Sequence, residues 1–218
     1  RNTMFIVEED TRTNFESPAY REALELFDVC DGINVMKRDF GRNLSEDLQA
    51  WWFDQAIGGK RYKHPQMYEL IAKQQKAARF AYELDRNKKN EIAFIYDEES
   101  IHVVSPKCTH DTVEYMRNYE IARIGAPVDQ YYHNDMSNPD MPDYKLYVFF
   151  NTYFLGDKER EAIRKKLKRN GAVALWMYAP GIMNPDRDRK FDVRHMEDLT
   201  GIKIEMLNRV EGAKFKLN

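Results

Sequence analysis

Cysteine is scarce in this sequence of 218 residues, and histidine occurs in no recognisable metal-binding pattern. The two cysteines, Cys30 and Cys108, lie far apart and form neither a C-x-x-C pair nor a zinc-like spacing. The sequence therefore favours two free thiols over a disulfide. The five histidines include no H-x-x-x-H or H-E-x-x-H motif, so no metal site is predicted.

Long apolar runs and an excess of charge of one sign are also lacking. No run approaches the roughly 20 apolar residues that a membrane helix needs. With 34 Lys and Arg against 36 Asp and Glu, the net charge is −2, which gives no electrostatic case for a nucleic acid or an anionic membrane as partner. Gly125 and Gly171 are isolated turn glycines rather than a phosphate loop, and no cofactor is expected. Residues 1–4 contain neither an initiator methionine nor a signal-peptide core, so we expect a cut end, and the compartment stays open.

Apolar strand patterns and amphipathic helix patterns alternate along the chain. With 43% hydrophobic residues, including 13 Tyr, 12 Phe and 3 Trp, the chain has enough apolar surface for a packed core. Strands are predicted over 3–8, 48–53, 92–96, 128–132, 144–150, 172–178 and 202–207. Helices are predicted over 18–27, 33–44 (with a break near Gly41), 66–84, 112–124, 157–169 (capped by Asp157 and ended by Gly171) and 193–199. This alternation predicts an α/β fold with a doubly wound parallel sheet.

A polar run at residues 85–90 contains no apolar side chain and marks the predicted domain boundary. Residues 1–86 form a first unit that reads as strand, helix, helix, strand, helix, which is about two βα units. After the polar run the alternation starts again, and residues 91–218 form a second unit.

The first predicted strand ends in three carboxylates, Glu8, Glu9 and Asp10, and Arg12 follows. A buried strand that ends in charge fits a parallel sheet with a site at its carboxyl edge. Carboxylates in this position serve as nucleophile or acid, and a nearby arginine keeps one of them ionised. The alternative is a solvated loop with an ion pair between Asp10 and Arg12.

Aromatic residues end the second predicted strand, where Trp51, Trp52 and Phe53 precede Asp54. Large flat rings stack on the apolar faces of sugars, and Asp54 or the later Tyr62 is suited to bind hydroxyl groups. Because side chains alternate along a strand, Trp51 and Trp52 must face opposite sides, and we expect one of them to belong to the core.

A nucleophile elbow in the second unit would need Cys or Ser at a sharp turn between small residues. The candidate turn after the strand predicted over 172–178 begins with Tyr178 and continues with Ala, Pro and Gly, so it has the small residues but no nucleophile. A pair between Cys108 and either His102 or His110 is the alternative, and only spacing supports it.

Four segments resemble β-galactosidase-like glycoside hydrolases related to family 42: EDTRT at 9–13, AWWFD at 50–54, NTYFL at 151–155 and LWMYAPG at 175–181. In those proteins a (β/α)8 barrel precedes a flavodoxin-like, doubly wound domain that resembles class I glutamine amidotransferases and is called the trimerisation domain. The resemblance implies that residues 1–86 are the carboxyl-terminal portion of the barrel. It implies that residues 91–218 are the amidotransferase-like domain, catalytically silent because Tyr178 and Ala179 stand at the place of the nucleophilic cysteine, and that the protein is a homo-oligomer.

The same resemblance assigns functional residues. The family's nucleophile, a glutamate at the end of the seventh strand, corresponds to Glu8 or Glu9, with Glu8 preferred because it directly follows the apolar run. The acid/base glutamate lies upstream of this chain, and retaining hydrolysis of a β-glycoside needs both carboxylates, so the chain alone is expected to be inactive. Six residues are expected to contact a carbohydrate substrate: Asp10, Arg12, Trp51, Trp52, Asp54 and Tyr62. The alternative function is a non-catalytic carbohydrate-binding or assembly protein. Unpaired barrel strands predict self-association through residues 1–84, or rearrangement of that segment.

Overall fold

A computed structural model describes residues 5–55, 60–85, 89–109, 113–169 and 171–205. The chain divides into two compact units, Arg1–Asn87 and Lys88–Asn218. Each unit combines helices with a parallel sheet, which confirms the predicted α/β class.

In its described residues, the first unit contains two strands and three helices. They are β1 (Ile6–Glu9), α1 (Pro18–Ala23), α2 (Val29–Ser45), β2 (Gln49–Trp52) and α3 (Pro65–Tyr82). The two strands pair in parallel, with Ile6 opposite Gln49 and Glu9 opposite Trp52, so their carboxyl ends lie side by side. Among the described residues this sheet has no third strand, so β1 and β2 each keep one unpaired edge.

Local sequence explains where α2 and α3 begin. Asp28 and Asp31 form a reciprocal capping box, because each carboxylate accepts a hydrogen bond from the backbone N–H of the other. At the start of α3, the His64 side chain accepts from the backbone N–H of Gln66, and Pro65 occupies the first helical position. Both helix starts are therefore encoded by neighbouring residues.

The helices pack on one face of the β1–β2 sheet. Met36 from α2 and Met67 from α3 are fully buried together with Tyr62, and Trp52 packs against them from β2. Gly32 lets the two helices approach, because a Cβ at this position would lie 2.6 Å from Cε of Met67. The core of the first unit thus lies between the sheet and the pair α2–α3.

The second unit has a four-stranded parallel sheet in the order β4-β3-β5-β6. Its strands are β3 (Ile92–Tyr96), β4 (Val128–Tyr132), β5 (Leu146–Phe149) and β6 (Val173–Trp176). Its α-helices are α4 (Pro106–Thr109), α5 (Asp157–Lys168) and α6 (Val193–Thr200); short 3-10 helices cover Glu99–Val103, Ile121–Arg123 and His133–Ser137, and a π-helix covers Met116–Glu120. The chain passes from β4 back across β3 to β5, so the direction of winding reverses between β3 and β5.

Apolar residues fill both faces of this sheet. One core contains Ala93, Ile95, Tyr147, Phe149, Ile163 and Leu199, and the other contains Phe94, Tyr96, Val113, Ile121, Val148 and Phe150. The rings of Phe149 and Trp176 stack with centroids 4.0 Å apart. Because both of their faces are buried, the central strands β3 and β5 read as continuous apolar runs.

Two predicted helices of the first unit have different bounds. Helix α1 ends at Ala23 rather than at 27, because Glu25 has a φ of 54°, in the left-handed region that a right-handed helix cannot continue through. Helix α2 starts four residues earlier than predicted and runs through Gly41 without a break. A single helical glycine lowers stability without breaking the hydrogen-bonded ladder.

Three predictions in the second unit need correction. The helix predicted over 112–124 is a π-helix followed by a 3-10 helix in its described part, and Thr112 lies outside the described residues. Asp157 is the first residue of α5, not its cap: Gly156 is the N-cap, and Oδ2 of Asp186 accepts from the Asp157 backbone N–H at 2.8 Å. Residues 202–205 are not a strand, and 206 and 207 lie outside the described residues.

Candidate functional site

Glu9 is the buried carboxylate at the end of β1. It is 5% exposed and faces the helices, where Nδ2 of Asn43 donates to its Oε1. The hydroxyl of Thr11 lies 3.1 Å from Oε2 of Glu9 and 2.7 Å from Oδ2 of Asp39, so its single hydrogen is shared between two carboxylates. Glu9 is therefore held inside the unit by α2 and by the segment that follows β1.

Glu8 lies on the opposite face of the sheet and is exposed. Its partner across the parallel pair is Trp51, whose side chain is 46% exposed and contacts the ring of Phe53 with centroids 5.2 Å apart. Within the described part of the chain, no hydrogen bond or ion pair holds the Glu8 carboxylate. This face thus presents a carboxylate beside an accessible indole at the carboxyl ends of both strands.

Trp52 faces the helices instead. Its ring meets Tyr62 edge-on, with centroids 5.5 Å apart, and packs against the buried Met36 and Met67. The prediction that the two tryptophans face opposite sides, with one in the core, is confirmed: Trp51 is the accessible one and Trp52 belongs to the core.

Arg61 joins the segments that follow the two strands. Its buried guanidinium donates to Oδ1 of Asp10 and, at 2.6 Å, to Oε1 of Glu16, and it also reaches the carbonyl oxygen of Phe53 at 3.1 Å. Its own backbone N–H donates to Oδ1 of Asp54 at 2.8 Å. A buried cation that binds three oxygens from both segments fixes their relative position.

Asp10 is an ionised loop carboxylate. Burial on its own would raise the pKa of Asp10, but the hydrogen bonds from Arg12 and Arg61 outweigh it and lower that pKa. The guanidinium of Arg12 also donates to the backbone carbonyl of Asp10 at 2.9 Å and lies over the ring of Tyr20, 5.5 Å from its centroid. The ion pair between Asp10 and Arg12 that the sequence suggested is present.

Tyr62 and Asp54 are engaged with the protein itself. The Tyr62 hydroxyl donates to the carbonyl of Glu9 at 2.9 Å, and burial raises the pKa of Tyr62 to about 12. Asp54 accepts from the backbone of Arg61. Contact of these two residues with a substrate stays a prediction, and in this structure both hold the ends of the strands in place.

A cavity of about 460 Å³ opens beside the end of β1. Residues 8–12 line one side of it, with Leu26, Val35, Arg38, Asp39 and Arg42 among the rest of its wall. This volume falls in the range of small-ligand sites, and the wall mixes carboxylates, guanidinium groups and aliphatic side chains. The structure therefore brings Glu8, Glu9, Asp10 and Arg12 to one cavity, whereas Trp51, Trp52, Asp54 and Tyr62 are not among its lining residues.

Arg61 is the residue that sequence reasoning missed. Its partners Asp10 and Glu16 are 51 and 45 residues away, so no local motif links them. The available signal was indirect, since a cluster of acids at one strand end needs a nearby cation, and only the pairing of β1 with β2 brings residue 61 to that position.

The described residues contain no group of three or more His, Cys, Asp and Glu side chains that could hold a metal ion. Nor does any helix in the described ranges have the length and apolarity to cross a membrane. Cys30 is a free, exposed thiol. The side chain of Cys108 and all of His110 lie outside what the structure describes, so the Cys–His pair stays a prediction.

The turn after β6 carries Tyr178 in a strained conformation. Its φ is 52°, its side chain is 79% exposed, and its ring contacts the buried Tyr153 with centroids 6.0 Å apart. A side chain lifted out at positive φ after a strand is the geometry of a nucleophile elbow, and a tyrosine occupies it here.

Comparison with known proteins returned two solved β-galactosidases among the similar structures. One, from Bifidobacterium adolescentis, is 16% identical and aligns over 53% of this chain and 56% of its own, with a TM-score of 0.38. The other, the GH42 enzyme Gan42B, is 15% identical and aligns over 66% of this chain and 25% of its own, with a TM-score of 0.46. The chain thus spans about half of the first protein and a quarter of the second. No protein-family model and no curated protein matches the chain.

Proposed function

We propose that this chain is the carboxyl-terminal part of a β-galactosidase-like glycoside hydrolase in which Glu8 is the nucleophile. One observation carries the proposal: Glu8 stands beside the accessible Trp51 at the carboxyl ends of two parallel strands. A carboxylate beside an aromatic platform provides both groups that a retaining glycosidase needs on one side of a sugar.

The arrangement of the first unit supports a barrel origin. Helices α2 and α3 cover one face of the β1–β2 sheet, while the other face exposes Ile6, Glu8 and Trp51. In a (β/α)8 barrel, the helices lie outside, the second face of each strand points inward, and the active site lies at the carboxyl ends. Two strands with unpaired edges fit a segment of such a barrel, whose remaining strands would come from outside this chain.

In the proposed reaction, an oxygen of Glu8 attacks the anomeric carbon and the glycosidic C–O bond breaks. The leaving oxygen takes a proton from a carboxylic acid that lies outside this chain. That carboxylate then removes a proton from water, which attacks the anomeric carbon, releases Glu8 and leaves a sugar with retained configuration. Trp51 stacks on the sugar, and Arg61 and Arg12 keep Asp10 in place beside the reacting carboxylate.

The environment of Glu9 differs from that of Glu8 and supports Glu8 as the nucleophile. Its carboxylate is occupied by Asn43 and Thr11 on the helix side of the sheet, where it braces the end of β1 rather than facing Trp51. We therefore assign Glu9 as a positioning residue and Glu8 as the catalytic one.

The second unit has a supporting role in this proposal. The strand order β4-β3-β5-β6 fits the first four strands of a flavodoxin-like sheet, and Tyr178 fills the elbow that a nucleophilic cysteine holds in active amidotransferases. We infer a catalytically silent, amidotransferase-like domain that contributes to a homo-oligomer.

The test uses the full-length gene product with 4-nitrophenyl β-D-galactopyranoside as substrate. Glu8→Gln should lower kcat by about 10³-fold or more, because the covalent intermediate can no longer form. Glu9→Gln should retain measurable turnover. Glu22→Gln, which changes an exposed glutamate of α1, is the matched control and should behave as wild type.

Two outcomes would overturn the assignment. Full activity in both Glu8→Gln and Glu9→Gln would show that neither glutamate is the nucleophile. Galactoside binding without hydrolysis in the wild-type protein, lost in Trp51→Ala, would instead establish the non-catalytic carbohydrate-binding alternative.

A further inference from the structure

The second unit buries a histidine where the carboxyl ends of β3 and β4 meet. His133 directly follows β4, begins the 3-10 helix His133–Ser137 and is only 5% exposed. Its Nδ1 atom lies 3.1 Å from Oδ1 of Asp97, the fully buried residue that directly follows β3. The pair is not involved in the function proposed above.

Asp97 is fixed from several directions. Its two carboxylate oxygens accept hydrogen bonds from the Glu99 backbone N–H, at 2.9 Å, and from the Ser100 hydroxyl. Its backbone N–H donates to Oδ1 of Asn151 at 2.9 Å, and its carbonyl accepts from Nδ2 of the same residue at 2.6 Å. Because Asp97 is bound to Asn151, in the segment that follows β5, and to the following 3-10 helix, its carboxylate is held beside His133.

The contact between His133 and Asp97 depends on charge. Nδ1 of His133 has ion-pair distance to Asp97 but lacks the alignment of a hydrogen bond. The charges that act most strongly on the imidazole are the carboxylates of Asp97 after β3, Glu159 in α5, and Glu99 in the helix Glu99–Val103. Burial on its own lowers the pKa of His133, but these carboxylates outweigh burial and raise it.

We propose that His133 is a protonation-dependent clasp that, when charged, holds the helix His133–Ser137 between the end of β3 and α5, and that releases this segment when it loses its proton. The segment has a defined docking site, because it packs against α5 and buries Met136 in the same core as Ile163. A histidine is suited to this role because its charge changes near neutral pH.

The direction of the pH effect follows from the raised pKa of the folded state. The stabilisation that charged His133 provides is fully present below the pKa of this histidine in the unfolded chain, about 6.5. It is lost as the pH rises through the higher pKa of His133 in the folded protein. Alkaline conditions should therefore loosen the second unit, whereas mildly acidic conditions should not.

Histidine NMR titration of the wild-type full chain tests the clasp directly. The Cε1–H resonance of His133, assigned by its loss in His133→Gln or by its shift in Asp97→Asn, should titrate with a midpoint above the ordinary histidine pKa of about 6.5. A midpoint at or below that ordinary value would overturn the proposal.

Thermal unfolding between pH 5.5 and 9 tests the consequence. The wild-type Tm should fall by about 2–4 °C as His133 loses its proton. His133→Gln should start with the lower Tm and lack this pH step, whereas His102→Gln, the exposed control, should follow wild type. A His133→Gln profile that keeps the wild-type step would overturn the proposal, and the wild-type NMR titration decides the question even if this variant fails to fold.

Discussion

The two units use the same pattern of parallel strands and helices but differ in how completely they cover their sheets. In the second unit, apolar cores lie on both faces of the central strands β3 and β5, while Val173 and Leu175 of the edge strand β6 are exposed. In the first unit, helices cover one face of two strands, and Ile6 and Trp51 remain exposed on the other. Sheet edges and apolar faces are normally paired or covered. In their described residues, the second unit therefore covers both faces of its central strands, whereas the first unit covers one face of its strand pair.

The polar residues at the carboxyl edges differ in the same way. In the second unit, Asp97, Ser100 and Asn151 are buried and bonded to one another. In the first unit, Glu8 is exposed and a cavity opens beside it. One edge uses its polar groups to hold strands together, and the other leaves a carboxylate available for chemistry.

The largest stability effect should come from the buried cation of the second unit. Arg160, 1% exposed, donates to the carbonyls of Leu155, Gly181 and His195. Arg160→Ala should lower the free energy of unfolding by about 3–5 kcal/mol, because three carbonyls lose their donor. Urea unfolding measures this free energy. Arg164→Ala, one turn further along α5, is the control and should lower the free energy of unfolding by about 1 kcal/mol or less. Equal losses of unfolding free energy in the two variants would show that the buried contacts of Arg160 do not stabilise this unit.

The two tryptophans test which face of the first unit's sheet is covered. Trp52→Ala should cost about 3 kcal/mol, because it removes a ring packed on Tyr62 and the buried methionines. Trp51→Ala should cost less than about 1 kcal/mol, since its ring lies on the uncovered face. Chemical unfolding followed by circular dichroism compares them, and a reversed order would contradict the assignment of the two faces.

Arg61 tests whether the ends of β1 and β2 are tied together. Arg61→Met should cost about 2–3 kcal/mol, because Glu16 and Asp10 lose a buried partner. Arg38→Met, whose guanidinium is exposed and paired with the adjacent Asp39, is the control and should stay within about 1 kcal/mol of wild type. Urea unfolding compares the two variants, and a loss of stability no greater than that of the control would show that Arg61 does not tie the strand ends together.

The smallest expected effect separates two glycines of α2. Gly32→Ala should destabilise by about 1 kcal/mol, because the added methyl group would meet Cε of Met67 at 2.6 Å. Gly41→Ala should stabilise by about 0.5–1 kcal/mol, because its Cβ meets no atom within 4 Å and alanine favours the helix. Paired Tm measurements check the sign, and a stabilising Gly32→Ala would contradict the close packing of α2 on α3.

Sequence patterns predicted the parts of the fold that short-range physics determines. The continuous apolar run of β3 predicted the bounds of that strand, and alternation along β2 separated Trp51 from Trp52. The patterns failed where the backbone conformation of one residue, or a contact with a distant residue, determines how a helix begins or ends. The left-handed Glu25 ends α1, and Asp186 rather than Asp157 binds the first N–H of α5.

For the candidate site too, local patterns predicted some residues, whereas contacts between distant residues were missed. A strand that ends in acids pointed to Glu8, Glu9, Asp10 and Arg12, and these residues meet at one cavity. Sequence did not indicate that Glu9 is occupied by Asn43 on the helix side, because that contact forms only when α2 packs on the sheet. Arg61 was missed for the same reason.

The most direct test of the account is to trap the covalent intermediate in the full-length gene product with a 2-deoxy-2-fluoro-β-galactoside that carries a good leaving group. The proposal predicts time-dependent inactivation and, in peptide mass spectrometry, one sugar adduct on Glu8. An adduct on Glu9 or on a residue outside this chain, with Glu8 unmodified, would contradict it.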